Sequence, residues 1–108
     1  MTVAPPLTEA AFLAQVIDVA HVLGWRVAHF RPCQTGRGWR TAVQGDGKGF
    51  PDLVLVRRER LIFAELKAHR GGLTDEQRIW LDELTRCEGF DTYVWWPADF
   101  DDIVETLR

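Results

Sequence analysis

The chain has 108 residues, of which 46% are hydrophobic and 27% are charged, and its net charge is −3. These values are typical of one globular domain and exclude a disordered tail, a collagen-like repeat and a low-complexity segment. No apolar run approaches the roughly 20 residues of a membrane-spanning helix, and the first residues lack the features of a signal peptide. We therefore expect a cytoplasmic protein without a membrane segment, in which residues 8–108 form a single domain and residues 1–7 are flexible.

The first half of the chain predicts a helix, a strand and a long loop. Thr8 can cap the helix, and Gly24 stands where a glycine commonly follows a helix end. One apolar stripe runs between them at helical spacing: Phe12, Val16, Val19, Ala20 and Leu23. Residues 25–30 alternate between apolar and polar and predict a strand. Residues 31–50 are rich in Gly and Arg, and a loop of this length usually has a function.

The second half of the chain predicts a hairpin, a helix, a strand and a final helix. The apolar runs 53–56 and 61–66 are separated by a few polar residues, which predicts two antiparallel strands. A capping box formed by Thr74 and Gln77 opens the next helix. The inward face of that helix is predicted to carry Ile79, Trp80, Leu84 and Cys87. Residues 91–96 predict a fourth strand, parallel to the third because a helix separates the two, so we expect a mixed four-stranded sheet with helices on both faces.

The charges are unevenly distributed along the chain. Residues 21–48 contain five basic residues and one acidic residue, and residues 57–70 contain five basic and two acidic residues. Residues 71–108 contain three basic and ten acidic residues. A polyanion would therefore bind the middle of the chain, although basic loops are also common on domains without such a partner. The candidate nucleic-acid contacts there are Arg31, Arg37, Arg40 and Lys48, with Trp39 either stacking on an unpaired base or packing on the core.

Two acidic residues and a lysine are predicted to meet at one edge of the sheet. Asp52 stands just before the second strand, whereas Glu65 and Lys67 stand at the end of the third. In a hairpin the start of one strand lies beside the end of the next, and side chains two residues apart share a face. Two carboxylates and water suit Mg²⁺ or Mn²⁺, and a lysine beside them can orient or deprotonate that water. The alternative is a turn aspartate and a surface ion pair without a chemical role.

These residues also carry a resemblance to a known family. Gly49-Phe50-Pro51-Asp52, followed by Glu65-Leu66-Lys67, is similar to the PD-(D/E)XK nuclease signature. With Gly24-Trp25, Gln77-Arg78-Ile79-Trp80-Leu81 and Val94-Trp95-Trp96-Pro97, the chain resembles a stand-alone VRR-NUC domain, a virus-type replication-repair nuclease common in phages. The resemblance extends over almost the whole chain, from about residue 8 to residue 107.

The resemblance implies a fold, a reaction and a metal site. The fold is α/β, with a restriction-endonuclease-like αβββαβ core, a four-stranded mixed sheet flanked by helices, and an extra C-terminal helix. The reaction is metal-dependent hydrolysis of DNA phosphodiester bonds. Asp52 and Glu65 match the metal-binding acids and Lys67 the catalytic lysine, and the Leu66 carbonyl can add a metal ligand. The first helix often supplies a further acid, for which Glu9 is the best match and Asp18, expected to face solvent, ranks second.

The resemblance also implies partners. Stand-alone members are expected to act as homodimers on branched DNA, including four-way junctions, in the cytoplasm of a bacterium or a phage-infected host. Gln77 matches a family position near the active site, but a capping box explains it equally well. Two rival functions stay open from the sequence. One is a non-catalytic DNA-binding subunit that keeps the nuclease scaffold, and the other is a protein-interaction module that uses the acidic residues 71–108.

Overall fold

Three helices and six strands form in the described part of the chain. The computed structural model describes residues 7–30, 33–35, 38–40, 45–68 and 71–108. In chain order, the elements are α1 (Glu9–Val22), β1 (Arg26–His29), β2 (Cys33–Thr35), β3 (Gly38–Arg40), β4 (Leu53–Arg57), β5 (Arg60–Leu66), α2 (Asp75–Thr85), β6 (Asp91–Trp95) and α3 (Phe100–Leu107), with a short 3-10 turn at Pro97–Asp99 before α3. None of the described helices combines the length and apolar character needed to cross a bilayer.

Four strands form a mixed sheet in the order β1–β4–β5–β6. The pairs β1–β4 and β4–β5 are antiparallel, whereas β6 lies parallel to β5 because α2 carries the chain back to the same end of the sheet. The helices flank this sheet, and α3 follows as the additional C-terminal helix. The predicted α/β fold with a restriction-endonuclease-like core is therefore confirmed.

Part of the predicted 31–50 loop is a second, two-stranded sheet. β2 and β3 pair antiparallel, with Cys33 opposite Arg40 and Thr35 opposite Gly38. The loop prediction was wrong for these six residues because each strand has only three residues, too few to show the alternation that identifies a strand. The remainder of 31–44 lies outside the described residues.

One face of the four-stranded sheet forms the core with α1 and α3. Phe12 and Val16 of α1 pack with Ile103 and Leu107 of α3 in this fully buried cluster. The sheet contributes the alternate residues Leu53, Leu55, Ile62, Ala64 and Leu66. The indole N–H of Trp25 donates to the carbonyl of Leu107 at 2.7 Å, which fixes the end of α3 on the sheet. Leu7, which was assigned to the flexible N-terminal segment, packs against this cluster, and residues 1–6 lie outside the described part.

The helix boundaries confirm the local signals read from the sequence. The Thr8 hydroxyl accepts the N–H of Ala11 at 3.0 Å, which caps α1. Gly24 follows α1 with φ +87°, a conformation that L side chains rarely adopt. The Thr74–Gln77 capping box is present at the start of α2. Helix ends could be predicted because these contacts are made within a few residues of the chain.

The inward face of α2 differs from the predicted one. Ile79 is 57% exposed and Cys87 is exposed, whereas Leu81 is buried. The inward side chains recur at i, i+3, i+4 and i+7, and they are Gln77, Trp80, Leu81 and Leu84. The first inward residue, Gln77, is polar. A search for apolar residues alone therefore predicted the wrong set of inward residues for α2. The first turn of α2 therefore presents an amide, and not a hydrocarbon, to the sheet.

Candidate active site

The β4–β5 hairpin brings the two predicted acids together. Leu53 pairs with Ala64, so the preceding residue Asp52 lies beside Glu65, the next residue of β5. The backbone holds Asp52 in place, because its carbonyl accepts the N–H of Phe30 at 2.9 Å. Its carboxylate Oδ2 accepts the N–H of Leu66 at 2.8 Å. Three strands therefore fix the position of this aspartate, and one oxygen of its carboxylate takes no part in that hydrogen bond.

Glu65 is a buried acid. Only 3% of its surface is exposed, and its Oε1 accepts a hydrogen bond from Nε2 of Gln77 at 2.9 Å. Burial and the negative charge of Asp52 raise the pKa of Glu65 from 4.5 to about 8. Burial also raises the pKa of Asp52, against the opposing effect of the Leu66 N–H bond. At neutral pH, Asp52 and Glu65 therefore have too little positive charge nearby to keep both of them ionised.

Lys67 lies beside the carboxylates without a direct ion pair to them in the described part of the chain. Its Nζ donates to Oε1 of Gln77 at 3.0 Å, and its backbone N–H donates to the carbonyl of Trp95 at 2.9 Å. The charge of Lys67 lowers the pKa of both acids but does not offset the effect of burial. Its side chain is only partly buried, so it remains within reach of a substrate at the edge of the sheet.

Gln77 connects the lysine to the glutamate. Its Oε1 accepts from both Nζ of Lys67 and the backbone N–H of Thr74, while its Nε2 donates to Glu65. The capping role and the active-site role, which seemed to be alternatives from the sequence, are thus performed by one amide. These contacts make Gln77 a positioning residue for the two side chains. A direct contact between Gln77 and DNA stays a prediction.

We expect Gln77→Ala to slow DNA cleavage about tenfold, because Glu65 and Lys67 each lose a hydrogen-bond partner. In Gln77→Glu the cap is kept, but a negative charge is placed beside Glu65, so the pH dependence of the rate should move to higher pH. Thr74→Ala serves as the control that removes only the cap. If Thr74→Ala reduced the rate as much as Gln77→Ala and Gln77→Glu left the pH profile unchanged, the positioning role would be wrong.

The segment before Asp52 packs closely on the start of α2. Gly49 has φ +85°, and a Cβ there would stand 2.6 Å from the backbone carbon of Glu76 and 2.7 Å from the backbone N of Gln77. The ring of Phe50 makes edge contacts with those of Phe30, Phe63 and Trp80. The indole N–H of Trp80 donates to the carbonyl of Asp46 at 2.8 Å. This close approach sets the distance between Gln77 on α2 and the carboxylates on the sheet.

Gly49→Ala is expected to destabilise the protein by about 2 kcal/mol or more, since the added methyl group meets backbone at a positive φ. Gly45→Ala is the matched control. Gly45 also has a positive φ, +72°, but nothing lies within 4 Å of its Cβ position. The control should cost about 1 kcal/mol. Denaturant unfolding measures both variants, and equal losses would mean that contact with α2 is unimportant.

Of the other predicted site residues in the described part of the chain, Leu66 donates its N–H to Asp52, whereas Glu9, Asp18 and Lys48 are exposed. Glu9 lies in the exposed first turn of α1, Asp18 is exposed as predicted, and within the described residues no group of three His, Cys, Asp or Glu side chains could hold a metal ion. A metal role for Glu9 therefore stays a prediction. Lys48 is exposed and its Nζ lies 3.4 Å from Oε1 of Glu76.

The predicted nucleic-acid contacts fall largely on the undescribed part of the chain. Arg31 and Arg37 lie outside the described residues. Trp39 and Arg40 belong to β3, of which only the backbone is described.

One neighbour of the site was not predicted. His29 ends β1 opposite Leu53, and its charge lowers the pKa of Asp52. The sequence gives no signal for this position, because its three histidines are scattered along the chain. Only the pairing of β1 with β4 places one of them near the aspartate. His29 therefore adds positive charge at the site when it is protonated.

One of three comparisons with known proteins gave a match. A family model described as the VRR-NUC domain matches residues 12–95. This range contains Asp52, Glu65, Lys67 and Gln77, and it excludes Glu9. No curated protein and no solved structure is significantly similar to the chain.

Proposed function

The chain belongs to the VRR-NUC family of nuclease domains that process DNA, and from this premise we propose that it is a metal-dependent DNA endonuclease. The single observation that carries the proposal is the adjacent pair of acids at the end of the hairpin, the half-buried Asp52 and the buried Glu65. The pKa values of both acids are raised, so holding both as carboxylates is unfavourable without a cation. Two such carboxylates can hold a divalent cation that neutralises charge at a phosphodiester.

The residues at the site fit Mg²⁺ or Mn²⁺. Asp52 and Glu65 supply carboxylate oxygens, and each has one oxygen that is not used in the hydrogen bonds described above. The Leu66 carbonyl is the third proposed ligand, and hard oxygen donors of this kind suit either ion. When bound, the ion would neutralise charge on the phosphodiester and lower the pKa of a bound water.

Lys67 is proposed to act on the nucleophile and the substrate charge. With Nζ held by Gln77, the lysine can orient a water toward the phosphorus or donate a hydrogen bond to a phosphate oxygen. Glu65 changes between a protonated and an ionised state near neutral pH, so it must release its proton before it binds a cation. The active state therefore forms more readily as the pH rises towards 8.

The test is cleavage of labelled DNA by the purified protein with Mg²⁺ or Mn²⁺, with and without a chelator. The panel contains duplex, single strand, flap and four-way junction, since we propose selectivity for branched DNA. The proposal is supported if the wild type cleaves DNA only with metal and the Asp52→Asn variant does not cleave it. Salt-sensitive binding without any cleavage would favour the alternative, a non-catalytic DNA-binding subunit. If the protein neither bound nor cleaved DNA, the proposal that DNA is its substrate would be overturned.

We further propose that the active form is a homodimer, because one site cuts one strand and a two-fold pair of sites would cut two. The helices offer exposed apolar residues for an interface, with Val22 of α1 82% exposed and Ile79 of α2 57% exposed. Sedimentation at micromolar concentration measures the assembly. A monomer that cuts a four-way junction symmetrically would contradict the dimer.

A further inference from the structure

An arginine-lined cavity lies at the opposite end of β4 from the carboxylates. It has a volume of about 850 Å³ and is lined by Leu23, Gly24, Trp25, Arg26, Val56, Arg57, Arg58 and Arg108. The lining includes four arginines and no acidic residue. In the described part of the chain, one of these arginines forms an ion pair, Arg108 with Glu105 at 3.4 Å. The side chains that line the cavity therefore carry a net positive charge.

The cavity wall is rigid where Arg57 forms it. Nη1 of Arg57 donates to the carbonyls of Leu23 and Leu107 at 2.9 and 2.8 Å, and Nη2 donates to that of Arg108 at 3.0 Å. The guanidinium also lies 4.7 Å from the centroid of the Trp25 ring. Arg57 thus supports the ends of α1 and α3. Its Nε is the buried side-chain atom without a hydrogen-bond partner in the described part.

Two other arginines are free to bind a ligand. Arg26 and Arg58 are both exposed, and they take no part in the hydrogen bonds or ion pairs of the described residues. Arg58 and Glu59 form the β4–β5 turn with φ +47° and +71°, values that favour Asn and Gly. The turn therefore retains an arginine where another residue would be more stable.

One side of the cavity, formed by Arg26 and Val56, lies on the same face of the sheet as the carboxylates, whereas Trp25 and Arg57 lie on the face covered by α1 and α3. Arg26 pairs with Val56, and alternate residues back along β4 from Val56 lead to Asp52. Four residues at about 3.3 Å each place the two ends about 13 Å apart, which is about the rise of four base pairs along the axis of a DNA duplex. Along β1, Arg26 and Ala28 on this face are exposed, and Phe30 is 39% exposed. This part of the face is not covered by α2.

From these observations we infer that the arginine cavity binds backbone phosphates of the DNA substrate about four base pairs from the bond that is cut. The inference rests on the proposed function and adds a second contact to it. The cavity could take a phosphate group from the DNA backbone or from a free phosphate anion. The experiment distinguishes these two sources. Arg26 and Arg58 supply the charge, while Arg57 holds the wall of the cavity in place.

The test measures DNA binding by fluorescence anisotropy over a range of salt concentrations, in chelator, so that no cleavage is needed. The double variant Arg26→Ala/Arg58→Asn removes two charges, and Asn tolerates the positive φ at position 58. The slope of log K against log salt should shrink by about two, and binding at about 0.1 M salt should weaken tenfold or more. Arg86→Ala is the control for Arg58→Asn, because Arg86 is exposed at the C-terminal end of α2. The slope of log K against log salt for Arg86→Ala should equal that of the wild type.

A second comparison uses duplexes that extend three or ten base pairs from the cleavage position. The double variant should bind the short duplex as the wild type does and the long one more weakly. An unchanged salt slope on the long duplex would overturn the inference. The inference would also be overturned by the following pair of results. Inorganic phosphate would stabilise the wild type against thermal unfolding but not the double variant, while the salt slopes of DNA binding would be equal for the two proteins. Because binding is measured without metal, failure of the nuclease assay would not alter this result.

Discussion

Glu65→Gln is expected to reduce DNA cleavage by roughly a thousandfold or more and to stabilise the metal-free protein above neutral pH. The substitution keeps the shape of the side chain and the acceptor for Nε2 of Gln77, but it removes one negative charge of the carboxylate pair. The fold is therefore retained while a proposed metal ligand is lost. Cleavage of a labelled junction and thermal unfolding between pH 4 and 9 measure the two effects.

The direction of the stability change follows from the raised pKa. In the unfolded chain Glu65 ionises near 4.5, whereas in the folded protein its pKa is about 8. The folded protein therefore holds the extra proton between these values, and the stability contributed by Glu65 below pH 4.5 is lost as the pH rises to about 8. The Gln variant lacks this loss, so its Tm at pH 8 should exceed that of the metal-free wild type by several degrees.

Two further measurements constrain this result. Asp52→Asn should abolish cleavage in the same way, because it removes the other carboxylate. Glu88→Gln, at an exposed position after α2, is the matched control and should cleave at the wild-type rate. Near-normal cleavage by Glu65→Gln would show that the metal site lies elsewhere. A Tm that does not change between the wild type and Glu65→Gln at pH 8 would show that Glu65 is not held protonated.

Lys67→Ala should slow cleavage at least about a hundredfold, while affinity for DNA falls far less. The lysine donates to Gln77 and lowers the pKa of both acids, so its removal loses a charge near the phosphate and raises both pKa values further. The pH at which cleavage reaches half its maximum should therefore increase. Single-turnover rates over pH 6–9 measure this shift separately from binding.

Lys67→Met separates charge from packing, since methionine keeps most of the length of the aliphatic chain. We expect it to be as slow as Lys67→Ala. Arg86→Ala is the control for loss of a positive charge outside the site, because Arg86 is exposed at the C-terminal end of α2. Its turnover should stay within about threefold of the wild type. A normal rate for Lys67→Met would remove the charge of the lysine from the mechanism.

The tertiary placement of the acids explains why the hairpin matters for function. Asp52 and Glu65 belong to different strands, and the register of β4 with β5 alone makes them neighbours. A shift of that register by one residue would turn one of them to the opposite face, into the apolar cluster that contains Leu53 and Ala64. Burial of that cluster fixes the β4–β5 register, and the same register places Asp52 beside Glu65.

The sequence by itself determined the local features. Helix ends at Thr8 and Gly24, the capping box at Thr74, the apolar strands and the hairpin all follow from contacts within a few residues or from a repeated apolar pattern. The hairpin further implied the meeting of Asp52, Glu65 and Lys67, since adjacent strands leave little choice of partner. The family match, over residues 12–95, shows a domain of a nuclease family.

Only the tertiary structure decided how α2 faces the sheet and what lies beside the carboxylates. Apolar spacing pointed Ile79 and Cys87 inward, but the contact of Gly49 with the start of α2 turns Gln77 to the site instead. The positions of His29 and of the arginine cavity depend on pairing between strands distant in the chain. Such pairings leave no local pattern, because their energy comes from burial and charge contributed by residues far apart in sequence.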